Sequence, residues 1–315
     1  MTKPSLESRF VAGDERALAR GISLLEAGDA AGATLLSAVR GQGDAHIVGI
    51  TGSPGSGKST LSDALILAAR AQDKRVAVLA VDPSSPYSGG AILGDRIRMM
   101  RHHQDKNVFV RSMATRGQLG GLAAATLQVT ALLEAFGFDL VLLETVGVGQ
   151  SEVDIVHAAD TTVLVLTPGQ GDGVQAFKAG IMEIADVFVV NKSDQPGSGR
   201  LKREIKAALE LAMPEAGAWQ PPVLETVASD GQGVTELLET LAAHRGGLEA
   251  SGGLERARRE RVRFEVSALL AERLRRLVQR MEPSRLEAVL GGQVSVNGLS
   301  ETLLNELLQE TSLPA

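Results

Sequence analysis

The chain has 315 residues, of which 44% are hydrophobic and 22% are charged, a composition typical of a soluble globular protein. A formal net charge of -6 gives no general attraction to phosphate backbones, so we expect no nucleic-acid partner. The absence of cysteine excludes disulfides, thiolate metal sites and a cysteine nucleophile, and no apolar run approaches membrane-spanning length. We therefore expect a cytoplasmic protein with no membrane partner.

Residues 1–43 are predicted to form an N-terminal helical extension. Apolar residues recur there at helical spacing, and breaks at Gly13-Asp14 and Gly28-Asp29 indicate two or three short helices. Residues 44–245 instead alternate short Val/Ile/Leu runs with amphipathic segments. That alternation predicts an α/β domain built from βαβ units around a mostly parallel sheet.

The stretch GSPGSGKST follows the apolar run HIVGI and precedes a helical segment. It matches the phosphate-binding loop, in which glycines let consecutive backbone N–H groups converge on phosphates at the positive end of a helix. Lys58 is expected to reach the β- and γ-phosphates, and Ser59 to ligate Mg²⁺. The predicted fold class is therefore a P-loop NTPase with helical extensions at both ends. The predicted cradle comprises Gly52, Ser53, Pro54, Gly55, Ser56, Gly57, Lys58, Ser59 and Thr60.

Magnesium needs further oxygen ligands, and acidic residues at the carboxyl ends of neighbouring strands are the candidates. Asp82 ends the run RVAVLAVD, Glu144 ends DLVLLE, and Asp95 lies in the predicted loop GGAILGDRIRMM. A helix cap or turn role is the alternative for each acid. Gly147 follows Glu144 at the spacing of a switch glycine, whose N–H is placed to sense a γ-phosphate.

The run NKSD, from Asn191 to Asp194, follows the apolar run VFVV. A carboxylate at this place accepts two hydrogen bonds from guanine N1 and N2, which adenine does not supply, so GTP and GDP are the predicted nucleotides. A backbone N–H in the run Val227 to Ser229 is expected to meet guanine O6. The guanine-site candidates are Asn191, Lys192, Asp194, Val227, Ala228 and Ser229.

Residues 246–315 are predicted to form a C-terminal helical arm. The Gly-rich segment HRGGLEASGGLE, His244 to Glu255, is interpreted as a linker before it. From Leu254 to Met281 apolar residues form a helical stripe. Packing on the same domain and packing on a second subunit predict the same stripe, so the pattern leaves both open.

These motifs together resemble the MeaB/ArgK-type GTPases, which are chaperones of cobalamin-dependent acyl-CoA mutases and are related to the human methylmalonic aciduria type A protein. The resemblance implies a G-protein that binds a mutase such as methylmalonyl-CoA mutase, gates loading of adenosylcobalamin and helps the mutase recover from damaged cofactor. It also implies a homodimer formed by C-terminal helices, an additional switch in Gly169 to Lys178, and magnesium and switch roles for Ser59, Asp82, Asp95 and Glu144. The similar stretches are GITGSPGSGKST, VDPSSPYSGGAILGDRIRM, RSMATRGQLGGLA, ETVGVGQSE, TPGQGDGVQAFKAGIMEIAD and NKSD.

Hydrolysis is expected to proceed by in-line attack of water on the γ-phosphate, with Lys58 and Mg²⁺ stabilising the developing charge. The residue after Gly147 is Val148, whose side chain cannot orient water, so we expect slow intrinsic turnover that rises with a partner. Gln150 is a candidate for the orienting group. Two alternatives are an ATP-dependent small-molecule kinase, against which Asp194 argues, and a metallochaperone GTPase. The latter should have Cys or His clusters, which the sequence lacks. The adjacent pair His102-His103 would point apart on a strand and lie about 100° apart on a helix, so the two rarely share a metal.

Overall fold

The structure is a computed structural model, and it describes residues 4–82, 101–102, 104–114, 124–145, 151–169, 184–211 and 219–310. Within these residues, seven parallel strands form one sheet in the order β3-β2-β4-β1-β5-β6-β7. The strands are β1 His46–Thr51, β2 Val76–Asp82, β3 Val108–Ala114, β4 Leu140–Thr145, β5 Thr161–Leu166, β6 Val187–Asn191 and β7 Val223–Thr226.

Helices connect the strands, and further helices precede β1 and follow β7 in the chain. They are α1 Leu6–Val11, α2 Glu15–Ala27, α3 Ala30–Val39, α4 Lys58–Arg70, α5 Ala124–Ala135, α6 Ser151–Ala158, α7 Ser198–Leu211, α8 Val234–Ser251, α9 Gly253–Gln279, α10 Pro283–Leu290 and α11 Val296–Glu310. No helix in the described part of the chain is long and apolar enough to cross a bilayer. The predicted α/β fold with terminal helices is confirmed.

The central strands bury side chains on both faces, as the continuous Val/Ile/Leu runs predict. In β5, Val163 and Val165 join a cluster with α4 and α8, whereas Leu164 and Leu166 join a second cluster with α7. Every residue of β1, β4, β5 and β6 is buried. Because parallel neighbours bring their carboxyl ends to one edge of the sheet, the residues that follow these strands lie on the same side of the molecule.

The N-terminal extension forms three helices, and aspartates cap the second and third. Asp14 precedes α2 and accepts a hydrogen bond from the backbone N–H of Arg16, while Asp29 precedes α3 and accepts one from Ala31. Gly28 ends α2 with φ of 67°, a left-handed conformation in which glycine carries no steric cost. The helix breaks predicted at these positions are therefore confirmed, with a capping mechanism for each.

The Gly-rich segment interpreted as a linker is helical instead. Helix α8 continues to Ser251, Gly252 terminates it with φ of 67°, and α9 begins at the next residue. Two arginines in the first turns of α9 then form ion pairs, Arg258 with Asp44 and Arg261 with Asp160. The linker interpretation was wrong because burial of the α8 apolar face outweighs the weak helix propensity of its glycines.

The described chain divides into two compact units, one ending at Arg261 and one beginning at Val262. Within the second unit, Arg285 of α10 makes paired hydrogen bonds of 3.0 and 2.8 Å to the Glu306 carboxylate of α11. Leu303 and Leu307 are buried, whereas Leu290 is 80% exposed. The second unit therefore has a small packed core beside an apolar surface that the single chain leaves exposed.

A buried polar cluster lies at the amino-terminal edge of the sheet. His46 Nε2 lies 2.7 Å from Thr161 Oγ1, which in turn lies 2.8 Å from Nδ1 of His244. Burial lowers the pKa of both imidazoles to about 4, so both rings are neutral near pH 7. Burial also raises the pKa of the adjacent Asp186 carboxyl to about 6. This cluster lies at the edge opposite the carboxyl ends of the strands, where the sequence motifs are found.

Candidate nucleotide-binding site

The predicted phosphate-binding loop connects β1 to α4, as its sequence context requires. Strand β1 ends at Thr51, and Gly57 occupies the N-cap of α4 with φ of 93° and no side-chain capping bond. The N–H groups of the first helical turn are thus not capped by a side chain, and they lie at the positive end of the helix dipole. A helix start of this kind favours a bound anion.

Two glycines of the loop are required by close packing. A Cβ added at Gly57 would lie 2.3 Å from Nδ2 of Asn191, and one added at Gly52 would lie 2.2 Å from the carbonyl oxygen of Val165. Gly52 and Gly57 have φ of 141° and 93°, values that L side chains rarely adopt. The loop can therefore adopt this conformation only because glycine stands at both positions.

Lys58 lies folded over this loop. Its ammonium donates hydrogen bonds to the carbonyl oxygens of Gly52 at 2.5 Å and Ser53 at 3.1 Å, and the residue is only 7% exposed. The first helical turn and the loop carbonyls therefore hold the positive charge beside the cradle. Contact of Lys58 with phosphate oxygens stays a prediction of the motif.

The predicted magnesium ligands Ser59 and Glu144 lie in direct contact. Ser59 is the second residue of α4, and its hydroxyl donates a 2.5 Å hydrogen bond to Oε1 of Glu144 near the end of β4. The hydroxyl of Ser62 donates to Oε2 of the same carboxylate at 3.0 Å. Glu144 is 2% exposed. A hydroxyl and carboxylate oxygens form the donor set that Mg²⁺ prefers, so the residues present fit a magnesium ion.

The other predicted phosphate-side residues are only partly covered by the structure. Asp82 is the last residue of β2, next to β4 in the sheet, so its backbone lies at the predicted strand end. The structure does not describe the Asp82 side chain. Asp95, Gly147 and Gln150 lie outside the described residues, as does most of the predicted additional switch, Gly169 to Lys178. Their roles remain predictions.

Asn191 joins the phosphate loop to the predicted base-binding segments. Its Nδ2 donates to the carbonyl oxygen of Ser56 at 2.9 Å, and its Oδ1 accepts from Thr226 Oγ1 at 3.0 Å and from the Ala228 N–H at 3.1 Å. The side chain is buried at the end of β6. These three bonds form an amide cross-link between the cradle, the end of β7 and the loop that follows it.

The residues after Asn191 leave the Asp194 carboxylate exposed. Lys192 has φ of 54°, and its ammonium donates to the carbonyl oxygen of Gly55 at 2.8 Å. This left-handed residue turns the chain away from β6, and Asp194 is exposed two residues later. Among the described residues, no hydrogen-bond partner holds the Asp194 carboxylate. It is therefore available to a ligand beside the cradle.

Hydrogen bonds within the protein already occupy two of the three backbone N–H groups between Val227 and Ser229. The Val227 N–H donates to the carbonyl oxygen of Gln232 at 3.1 Å, and the Ala228 N–H is held by the amide cross-link. The Ser229 N–H has no partner among the described residues. Of the three candidates, Ser229 is thus the one whose N–H is left for a guanine O6.

Sequence reasoning missed two residues at this site, and it left open whether the histidine pair near His102 could bind a metal. Thr226 and Ser62 belong to no motif, although Ser62 lies three residues after Ser59 and hence on the same helix face. His102 Nε2 lies 2.7 Å from Oδ1 of Asp63 on α4, within hydrogen-bonding distance. In the part of the chain that the structure describes, no three His, Cys, Asp or Glu residues are grouped for a metal.

Comparison with known families and proteins agrees with these features. A family model described as methylmalonyl Co-A mutase-associated GTPase MeaB matches residues 18–282. A putative GTPase of Pyrococcus horikoshii is 50% identical over 269 residues, which cover 84% of this chain and 85% of that protein.

Two further relatives extend the comparison. The mitochondrial methylmalonic aciduria type A homolog of Mus musculus is 36% identical over 210 residues, 66% of this chain and 51% of the mouse protein. A crystal structure of a LAO/AO transport system kinase superposes with a TM-score of 0.70 at 28% identity and covers 96% of both chains.

Proposed function

The chain belongs to the methylmalonyl-CoA mutase-associated GTPase family MeaB and is a P-loop GTPase, and on that premise we propose that it is a Mg²⁺-dependent chaperone of an adenosylcobalamin-dependent acyl-CoA mutase. In this proposal the GTPase cycle gates cofactor loading and protects or reactivates the mutase. The observation that supports the nucleotide part is the amide cross-link, because it ties the start of the NKSD run, in which Asp194 is exposed, to the glycine-rich loop.

Guanine selection is assigned to two groups that flank the amide cross-link. The Asp194 carboxylate accepts from guanine N1 and N2, and the Ser229 N–H donates to O6. Adenine reverses the donor and acceptor pattern at these positions, so ATP would leave the carboxylate unpaired. This selection argues against an ATP-dependent small-molecule kinase. The left-handed Lys192 supports the assignment because its bond to Gly55 O lays the lysine stem along the cradle.

The phosphate end is assigned to the cradle and to the start of α4. The phosphate oxygens are assigned to Lys58 and the N–H groups of the first helical turn. The magnesium ligands are assigned to Ser59, Glu144 and the strand-end Asp82, with Asp95 as a further ligand. Bound Mg²⁺ supplies charge neutralisation at the phosphate oxygens. The Ser59 hydroxyl donates its proton to Glu144, an orientation in which a cation would meet the hydroxyl lone pairs rather than the proton.

Turnover is proposed to be slow in the isolated protein. Gly147 senses the γ-phosphate and Gln150 orients water in this proposal, but the neighbouring Val148 supplies no hydrogen bond. A partner that orders this segment would raise the rate. The family description and the mouse relative support an acyl-CoA mutase as that partner, with Gly169 to Lys178 as the communicating segment.

A homodimer is proposed through the C-terminal arm. In the single chain, Val262, Val266 and Leu270 of the predicted apolar stripe are 48%, 50% and 48% exposed. Leu290 and Val296 of the second unit are 80% and 70% exposed. Apolar residues that the single chain leaves exposed support packing on a second copy.

The nucleotide part is tested by competition against a fluorescent GDP. GTP should displace the probe and ATP should not, whereas equal displacement would support the kinase alternative. The partner part is tested by capture from a lysate of the source cell followed by a GTPase assay with the purified captured protein. Capture of an acyl-CoA mutase that accelerates hydrolysis supports the proposal. A mutase that neither binds nor changes the rate contradicts it, and stoichiometric nickel or cobalt binding would favour a metallochaperone.

A further inference from the structure

Ser62 is a buried residue for which motif matching provides no role. It is 0% exposed on α4, and its hydroxyl donates to Oε2 of Glu144 at 3.0 Å. We propose that Ser62 is a positioning residue of the GTPase: it fixes the Glu144 carboxylate so that Glu144 orients the Ser59 hydroxyl toward a magnesium ion. The inference rests on the proposed function, because that proposal assigns the magnesium site to Ser59 and Glu144.

The two serines hold the two carboxylate oxygens separately. Ser59 donates to Oε1 at 2.5 Å and Ser62 to Oε2 at 3.0 Å. They lie three residues apart on the same face of one helix, so their spacing is rigid. The terminal torsion of a glutamate is broad and has no sharp rotamer preference. The pair of serine hydroxyls therefore supplies orientation that the Glu144 side chain alone lacks.

The orientation of Glu144 determines which way Ser59 points its proton. A serine hydroxyl has one donor and two acceptor lone pairs, and its hydrogen rotates to suit its neighbours. While Oε1 accepts that hydrogen, the Ser59 hydroxyl would present its lone pairs rather than its proton to a cation. If the carboxylate turned, the Ser59 proton could rotate toward the cation and oppose its binding. Ser62 thus acts on the metal site through its hydrogen bond to the Glu144 carboxylate and is not itself assigned as a ligand of the ion.

The backbone at Glu144 does not depend on Ser62. Strand β4 lies between β1 and β2, and Glu144 is in register with Ile50 on one side and Ala80 on the other. Removal of one buried oxygen from α4 leaves this pairing intact. A purely structural role for Ser62 would therefore change stability without changing the response to magnesium.

The test is the Mg²⁺ dependence of fluorescent-GDP release from the purified full chain. In Ser62→Ala we expect the Mg²⁺ concentration that slows release by half to rise about 10- to 100-fold, the usual cost of removing an outer-shell partner of a metal ligand. GDP affinity in excess EDTA should stay at the wild-type value. Ser62→Thr retains a hydroxyl and should restore the wild-type Mg²⁺ dependence.

A matched control is Thr130→Val, which removes a different fully buried hydroxyl. Thr130 lies on α5 and donates to the carbonyl oxygen of Thr126 at 2.8 Å, and its loss should leave the Mg²⁺ dependence unchanged. If Ser62→Ala does not yield folded protein, Ser62→Cys is measured instead, since a thiol is a weaker donor of similar size. It should shift the Mg²⁺ dependence in the same direction.

A Ser59→Ala arm separates failure of this inference from failure of the proposed function. If Ser59→Ala leaves the Mg²⁺ dependence at the wild-type value, the magnesium site itself is misassigned. If Ser59→Ala shifts it and the Ser62 variant does not, the positioning role is overturned while the proposed function stands. The role is also overturned if Ser62→Ala weakens GDP binding equally with Mg²⁺ and with EDTA.

Discussion

Asp194→Asn tests the guanine assignment most directly. In the proposal the carboxylate accepts two hydrogen bonds, and bonds to a charged group contribute about 1.5–3 kcal/mol each. Because Asp194 is exposed in the free protein, water already solvates its carboxylate, and the lower end of that range applies. The expected loss is therefore about 3 kcal/mol, or about 100-fold in the dissociation constant of GDP.

The variant should also gain a new preference. Xanthine carries a carbonyl at C2 in place of the guanine amine, and an asparagine amide can donate to that oxygen. Isothermal titration calorimetry with GDP, XDP and ADP measures all three affinities. The variant should bind XDP more tightly than GDP.

Asp73→Asn is a suitable control because Asp73 is an exposed acid with φ of 58° on a turn, a conformation that asparagine tolerates. It should leave all three affinities unchanged. An Asp194→Asn protein that binds GDP at the wild-type affinity would refute the assignment of this carboxylate to guanine.

Three further predictions concern the cradle, acid stability and assembly. Gly57→Ala places a Cβ 2.3 Å from the amide cross-link at φ of 93°, so about 1–2 kcal/mol of backbone strain adds to the clash and GDP binding measured by calorimetry should weaken sharply. On acidification below pH 6.5, His46 and His244 each bind a proton in the unfolded chain, whereas in the folded state they bind it only near pH 4. The Asp186 carboxyl, of pKa about 6 in the folded state, binds one proton there over the same range. The net difference of one proton predicts a stability loss of about 1.4 kcal/mol per pH unit between pH 6 and 4, and denaturant unfolding of His244→Gln should show a flatter dependence. Leu290→Glu should convert a dimer to a monomer in light scattering, whereas Val11→Glu, at an apolar residue 66% exposed in α1, should not; a Leu290→Glu dimer would exclude this surface from the interface.

Much of the fold follows from local signals in the sequence. Continuous Val/Ile/Leu runs predict strands buried on both faces, and aspartates after glycine mark the starts of α2 and α3. The phosphate loop and the NKSD run are readable because their chemistry needs fixed residue types at fixed spacing. In these cases the causal interactions lie within a few residues of one another.

What the sequence does not reveal depends on contacts between distant segments. The helix through the glycines of α8 forms because its apolar face is buried, which no local propensity expresses. Ser62 acquires its partner 82 residues away, and Val227 and Ala228 lose their N–H groups to partners that only the folded loop supplies. The Ser229 N–H could be chosen only after those bonds were known.

The amide of Asn191 couples the two ends of the proposed nucleotide site. This one amide bonds to three segments, so the cradle cannot widen without disturbing the loop that is proposed to contact the base. A nucleotide should consequently gain more from spanning both ends than its isolated base and isolated triphosphate gain together, as a chelate outbinds its separate donors. If so, release should require both ends to loosen together, and we expect a long-lived nucleotide complex whose dissociation a partner protein accelerates.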